Sequence, residues 1–162
     1  YLDTQARLSK QGLDAIFTHA LVSGNNGVID EKTFEPNASY WGAVLWRRLM
    51  GSRILDAGPN GDGLNSYAHC LRGKRGGVAV LAMNMTERAK SLAIAGKAQV
   101  YTLTAQELQS RNVLLNGKPL KLTAKDDLPP MRPVAHNSGT LELAPHSITY
   151  VALPQAGNRS CR

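Results

Sequence analysis

At Gly51 the chain changes character. Up to that point it holds a helix-like run, Trp41-Gly42-Ala43-Val44-Leu45-Trp46-Arg47-Arg48-Leu49-Met50-Gly51, preceded by mixed apolar and polar segments. Beyond it, short apolar runs recur to the C-terminus: 53–57, 66–71, 78–83, 91–94, 99–104, 113–115, 120–122, 140–143 and 148–153. Turn signals separate them, among them Gly58-Pro59-Asn60-Gly61, Gly76-Gly77, Asn116-Gly117 and Pro129-Pro130. Evenly punctuated short strands of this kind predict a β-sandwich. Leu115-Asn116-Gly117-Lys118 is a strong hairpin signal, because a type I′ turn needs positive φ at both central residues.

The first 51 residues read differently. Leu2, Ala6 and Leu8 stand at helical spacing over residues 2–11, and Gly12 supplies a stop. Residues 13–21 form a mostly apolar run suited to a strand buried in a parallel sheet. A polar loop follows to Ser39, and residues 39–50 predict an amphipathic helix ending at Gly51. Helix, strand, long loop, helix is the repeating unit of an α/β barrel. The expected organisation is therefore α/β followed by all-β, with a boundary between residues 51 and 52.

Net charge is +7, from 19 Lys and Arg against 12 Asp and Glu. That balance favours polyanionic partners: nucleic acid, acidic polysaccharide or anionic lipid. The basic residues are scattered except at Arg47-Arg48 and Arg72-Gly73-Lys74-Arg75. Aromatic and basic residues do not interleave as RNA-binding surfaces require, so no nucleic acid is expected; solvated surface charge is the ordinary alternative. No apolar stretch approaches the roughly 20 residues of a membrane span. Tyr1-Leu2-Asp3-Thr4 has neither a basic start nor an initiating Met, and the chain reads as a piece of a longer precursor.

Two cysteines, Cys70 and Cys161, stand far apart without C-x-x-C spacing. By themselves they leave two readings open, a disulfide tying down the tail in an oxidising compartment or two unrelated thiols. The four histidines, His19, His69, His136 and His146, lack ligand spacing, so no metal or other cofactor is expected. G-x-S-x-G, H-E-x-x-H and the phosphate-binding glycine loops are missing from the sequence. Retaining glycoside hydrolysis needs two carboxylates about 5–5.5 Å apart. Asp14 falls at the wrong end of the one barrel-like strand, and Asp30, Glu31 and Glu35 read as turn and helix-entry residues. No catalytic pair is expected in this chain. The other end of that strand and its loop, Thr18, His19, Ser23, Gly24, Asn25 and Asn26, would face an active site in barrel geometry. Ser23-Gly24-Asn25-Asn26-Gly27 suits close backbone approach to an anion, although these five residues alone read first as a tight turn.

Several segments in order and spacing resemble the C-terminal portion of the heparanase-like glycoside hydrolases (family 79). They are Thr33-Phe34-Glu35-Pro36-Asn37 with Tyr40-Trp41, then Leu45–Gly51, Tyr67-Ala68-His69-Cys70, Val113–Leu120, Leu128-Pro129-Pro130 and the tail from Leu143 to Cys161. The resemblance implies a (β/α)8 barrel packed on a β-sandwich that cleaves β-linked glucuronic acid with retention. Residues 1–51 would be barrel helix 7, strand 8 and helix 8, and 52–162 the sandwich. The two catalytic glutamates would lie upstream, in an N-terminal remainder that is the chain's partner, and the substrate would be an acidic polysaccharide of heparan sulfate type. Cys70 would pair with Cys161, and the protein would be secreted, periplasmic or extracellular. Family loops read Gly-Asn-Tyr-Gly where this chain has Gly24-Asn25-Asn26-Gly27, and Arg-Gln where it has Thr18-His19. Gly24, Asn25, Asn26 and His19 are thus the implied substrate-binding residues, with Asn26 departing from the pattern. The alternatives are an exo-acting β-glucuronidase of the same family and a β-sandwich that binds carbohydrate without cleaving it.

Overall fold

The computed structural model describes residues 1–13, 15–17, 20–23 and 27–162. Among them two helices, α1 (Leu2–Lys10) and α2 (Ala38–Leu49), precede ten strands. The strands are β1 (Met50–Leu55), β2 (Leu64–Leu71), β3 (Val78–Asn84), β4 (Lys90–Ile94), β5 (Ala98–Thr104), β6 (Leu114–Leu115), β7 (Lys118–Pro119), β8 (Val134–His136), β9 (Gly139–Leu143) and β10 (Ser147–Leu153).

Helix α1 has Asp3 in its first turn and Arg7 and Lys10 in its last, as the helix dipole favours. It stops as its sequence predicts. Gly12 has φ +88°, its N–H reaches the Ser9 carbonyl, and the Leu13 N–H reaches the Leu8 carbonyl, a Schellman closure. Helix α2 buries Trp41, Leu45 and Leu49, spaced four apart on one face. Gly51 is not its stop, contrary to expectation. The helix ends at Leu49, Met50 is already extended, and Gly51 belongs to β1, where a Cβ would come within 2.5 Å of the Cys70 carbonyl oxygen. The glycine is there because two strands approach closely.

The strands build an eight-stranded antiparallel sheet in the order β1-β2-β3-β10-β5-β6-β7, with β8 also on β5, and a separate pair β4-β9. Strand β10, last in sequence, is inserted between β3 and β5, with Tyr150 opposite both Leu81 and Tyr101. Period-two alternation then sends neighbouring residues to opposite layers. Ala79, Leu81, Met83, Tyr150 and Ala152 join Leu2, Trp41 and Leu45 beneath the helices. Val151, with Val80 and Leu153, meets Ile94, Leu92 and Leu141 of the β4-β9 pair. Helices thus cover one face of the main antiparallel sheet, and the β4-β9 pair lies against part of the other. At the expected hairpin, Asn116 and Gly117 have φ +49° and +78°, as type I′ requires. The Asn116 side chain accepts from the Thr102 N–H at 2.8 Å and donates to the carbonyls of Val100 and Arg132.

Three expectations need correction. The described residues of 13–21 form no strand, and Phe17 and Leu21 are exposed; a buried parallel strand needs strand neighbours on both sides, and among the described residues this stretch pairs only at its end, where Leu21 accepts from the Ile29 N–H. Residues 120–122 form no strand either: β7 stops at Pro119, and past it the Leu120 N–H still donates to the Val113 carbonyl at 2.9 Å without extending the strand. Val134–His136, not anticipated, pairs with β5.

Candidate functional site

Ser23 and Gly27 bracket the glycine-asparagine loop, and both are held from below. Val22 and Ile29 form a parallel bridge and Ile29 and Pro36 an antiparallel one, so the chain doubles back on itself around the loop. The Ser23 N–H donates to the Ile29 carbonyl at 3.2 Å, and the Ile29 N–H to that of Leu21 at 3.0 Å. A Cβ on Gly27 would fall 2.4 Å from the Ser23 nitrogen, so only glycine permits this pinch. The Gly27 carbonyl accepts the side-chain N–H of Asn37 at 2.9 Å, and the Asn37 backbone N–H reaches the Val28 carbonyl. Asn37 sits at the N-terminus of α2 but spends its side chain on the loop, not on capping the helix. Gly24, Asn25, Asn26 and His19, together with Thr18 and Asp14, lie outside the described residues. The structure gives the frame of the candidate loop.

A second staple stands beside it. The Asp30 carboxylate accepts the backbone N–H groups of Thr33 and Lys32, each at 2.9 Å, and pairs with the Arg111 guanidinium. Those amides and the arginine hold its carboxyl well below the usual carboxylate range. Asp30 is thus the turn residue its sequence suggested, and it ties the loop region to the β portion through a residue 81 positions away. Nothing local in the sequence marks Arg111 for that role. Glu31 and Glu35 are exposed. Near this staple a cavity of about 590 Å³ opens between Phe34, Trp41, Arg111 and Leu122.

Asp3 anchors α1 instead of serving a cleft. It accepts from Tyr67 Oη at 2.7 Å and Asn65 Nδ2 at 2.8 Å, and pairs with Arg7 at 2.8 Å. Burial raises its carboxyl, but those partners outweigh burial and hold it below its ordinary value. His69 is buried in the sheet, Nδ1 lying 2.7 Å from the Gly51 carbonyl oxygen and its ring edge-on to Trp46. A carbonyl only accepts, so Nδ1 carries the proton. Among the described residues no three of His, Cys, Asp and Glu gather as metal ligands would. No described helix is long and apolar enough to cross a membrane.

Cys70 and Cys161 form a disulfide with Cα atoms 5.3 Å apart, as the resemblance implied. It fastens the C-terminal tail to β2. Arg47 and Arg48 are exposed on the last turn of α2, and Lys74 and Arg75 on the turn joining β2 to β3.

No family model matches the chain. Curated proteins do. Heparanase-like protein 3 of Arabidopsis thaliana is 31% identical over 93% of this chain and 34% of its own length. Baicalin-beta-D-glucuronidase of Scutellaria baicalensis is 38% identical over 83% of this chain and 27% of its own. Inactive heparanase-2 of Homo sapiens is 28% identical over the whole of this chain and 32% of its own. The chain spans about a third of the length of the relatives it matches.

Proposed function

Since the chain is heparanase-like over nearly all of its length, we propose that it is the C-terminal part of a retaining endo-β-glucuronidase acting on acidic polysaccharide. The similarity to heparanase-like protein 3 carries this reading. In it, residues 1–51 complete a (β/α)8 barrel, and the two glutamates that perform the displacement belong to the barrel portion outside this chain. One acts as acid and base, the other as nucleophile, and both must meet a sugar whose carboxylate is held in place. The work of this chain is that holding. The loop centred on Gly24, Asn25 and Asn26, its base pinched at Gly27 and secured by Asn37, offers backbone amides and amide side chains to the glucuronate carboxylate without adding a competing charge. The disulfide fits a secreted protein, since such bonds persist in oxidising compartments.

The test uses the assembled enzyme, comparing kcat/KM on a glucuronide and on the uncharged glucoside analogue. Gly24→Val is expected to lower the glucuronide value selectively, and Asn26→Tyr to be tolerated. Equal losses on both substrates would mean that the loop shapes the cleft without reading the carboxylate. Exo-acting hydrolysis of small glucuronides is the second reading, favoured by the 38% identity to a plant β-glucuronidase. Release of single sugars from a polysaccharide end, with no internal cuts, would select it. The relative named inactive makes binding without hydrolysis the outcome to beat. The chain of 162 residues alone is expected to be inert toward glucuronides.

A further inference from the structure

The Asp30 carboxylate divides its two oxygens between two tasks. Oδ1 accepts the backbone N–H groups of Lys32 and Thr33 at 2.9 Å each, and the Thr33 hydroxyl at 3.2 Å. Those bonds wind the chain into a turn, which the Phe34 N–H closes on the Asp30 carbonyl at 3.0 Å. Oδ2 meets the Arg111 guanidinium instead, and the Asp30 side chain is only 7% exposed. Phe34 has φ +57°, a left-handed backbone that a bulky residue enters only under strain. Its ring is 69% exposed, so the Asp30 bonds, not packing of that ring, hold it there. Such conformations persist where their surroundings over-determine them, and they gather at functional sites.

This turn adjoins the clamp beneath the glycine-asparagine loop. Ile29, next to Asp30, bridges both Val22 and Pro36, accepts the Ser23 N–H and donates to the Leu21 carbonyl. Fixing Asp30 therefore fixes the base from which the loop rises. Arg111 comes to this point from the β portion, between β5 and β6. Its segment is braced by the Asn112 N–H on Ser110 Oγ at 3.1 Å and by buried Val113, whose carbonyl accepts the Leu120 N–H. A planar guanidinium on a fixed stem gives the pair a defined direction. Lys121, which lines the same cavity, is exposed and joins none of the ion pairs found among the described residues.

We infer that Arg111 is a positioning residue for the candidate glucuronide loop: through Asp30 and the Ile29 clamp it sets where that loop stands when the sugar carboxylate arrives. The inference rests on the glucuronidase reading above. It makes the β portion a working part of the substrate site, although Arg111 itself touches no substrate. A displacement on the order of 1 Å in a frame that positions substrate costs up to about a hundredfold. The competing account is a brace that serves stability alone.

The test joins amide hydrogen exchange to kinetics of the assembled enzyme, for Arg111→Met, Asp30→Asn and the double variant. Asparagine keeps an Oδ1 acceptor for the turn but presents an uncharged amide to Arg111. Each single variant is expected to raise KM for a glucuronide at least about tenfold with kcat within about twofold, and the double variant no further. KM for the uncharged glucoside should stay as it is, and Arg111→Lys should recover part of the loss. The Ser23 and Ile29 amides should exchange faster while the melting temperature holds within about 2 °C. Lys121→Met should alter none of these. If Arg111→Met fails to fold, Arg111→Lys is read in its place and must show the same pattern at smaller size. Unchanged exchange at Ser23 and Ile29 overturns the inference, as does a KM rise shared equally by the glucoside. So does faster exchange throughout the β portion with a lowered melting temperature, the mark of a brace alone. An enzyme without turnover on any glucuronide sinks the glucuronidase reading, and exchange at those two amides still decides the role of Arg111.

Discussion

Two apolar stretches of this chain meet opposite fates. Ser147–Leu153 and Leu13–Val22 are both rich in large side chains, yet Tyr150 and Val151 are 0% exposed whereas Phe17 is 90% and Leu21 64% exposed. The difference is partnership. Strand β10 has β3 on one side and β5 on the other, each pairing along most of its length. Among its described residues the 13–22 stretch has one bridge, Val22 to Ile29. Burying a backbone requires that its N–H and C=O groups be paired, so apolarity becomes burial only where partner strands are within reach.

That comparison is sharpest at its extremes. Leu81→Ala, in the strand beside β10, is expected to cost about 2–5 kcal/mol in urea unfolding, because the site is closed on every side. A loss under 1 kcal/mol would mean that the sheet is looser than its pairing suggests. Asn84 is next. Its side-chain amide donates to the carbonyls of Arg88, Leu143 and Ala144, and its oxygen accepts from Thr86. Asn84→Ala should cost about 1–3 kcal/mol by stranding those carbonyls. The same bonds close the Asn84-Met85-Thr86 sequon in the folded protein, so intact-mass analysis should find no glycan there.

His69 gives a smaller effect with a sign. Burial pushes its imidazole below the ordinary value of 6.5, the Gly51 hydrogen bond only partly offsetting this. The unfolded chain then takes the proton more readily than the folded one, so stability present above about pH 6.5 falls as pH drops from there through the folded pKa. His69→Gln should flatten that limb of the stability–pH curve, and an unaltered curve would assign the limb to another group. Smallest of all, Phe17→Ser should change the chain's unfolding free energy by no more than about 0.5 kcal/mol. A larger loss would show that the exposed run packs on something after all.

Much of the β portion was legible because its signals are local. Runs of strand length, Gly12 as a helix stop and the Asn116-Gly117 turn each depend on a few adjacent residues. Gly51 misled for the same reason: a glycine after a helical run reads as a stop, and only the neighbouring strand shows that it clears the Cys70 carbonyl. The candidate loop was legible as a motif, but its supports were not. Asn37 spends its amide on Gly27 and not on capping α2, and Arg111 reaches Asp30 across 81 positions.

By itself, the sequence determined the helix and strand periods, the hairpin, the family resemblance and the size of the net charge, all properties of composition and short spacing. Tertiary structure alone decided that β10 lies between β3 and β5, that one sheet face meets helices and the other a two-stranded flap, and that Arg111 meets Asp30. Strand order and the Asp30–Arg111 pair arise from contacts between residues tens of positions apart. No local propensity encodes them, and backbone pairing and the disulfide fix them only once the chain has folded.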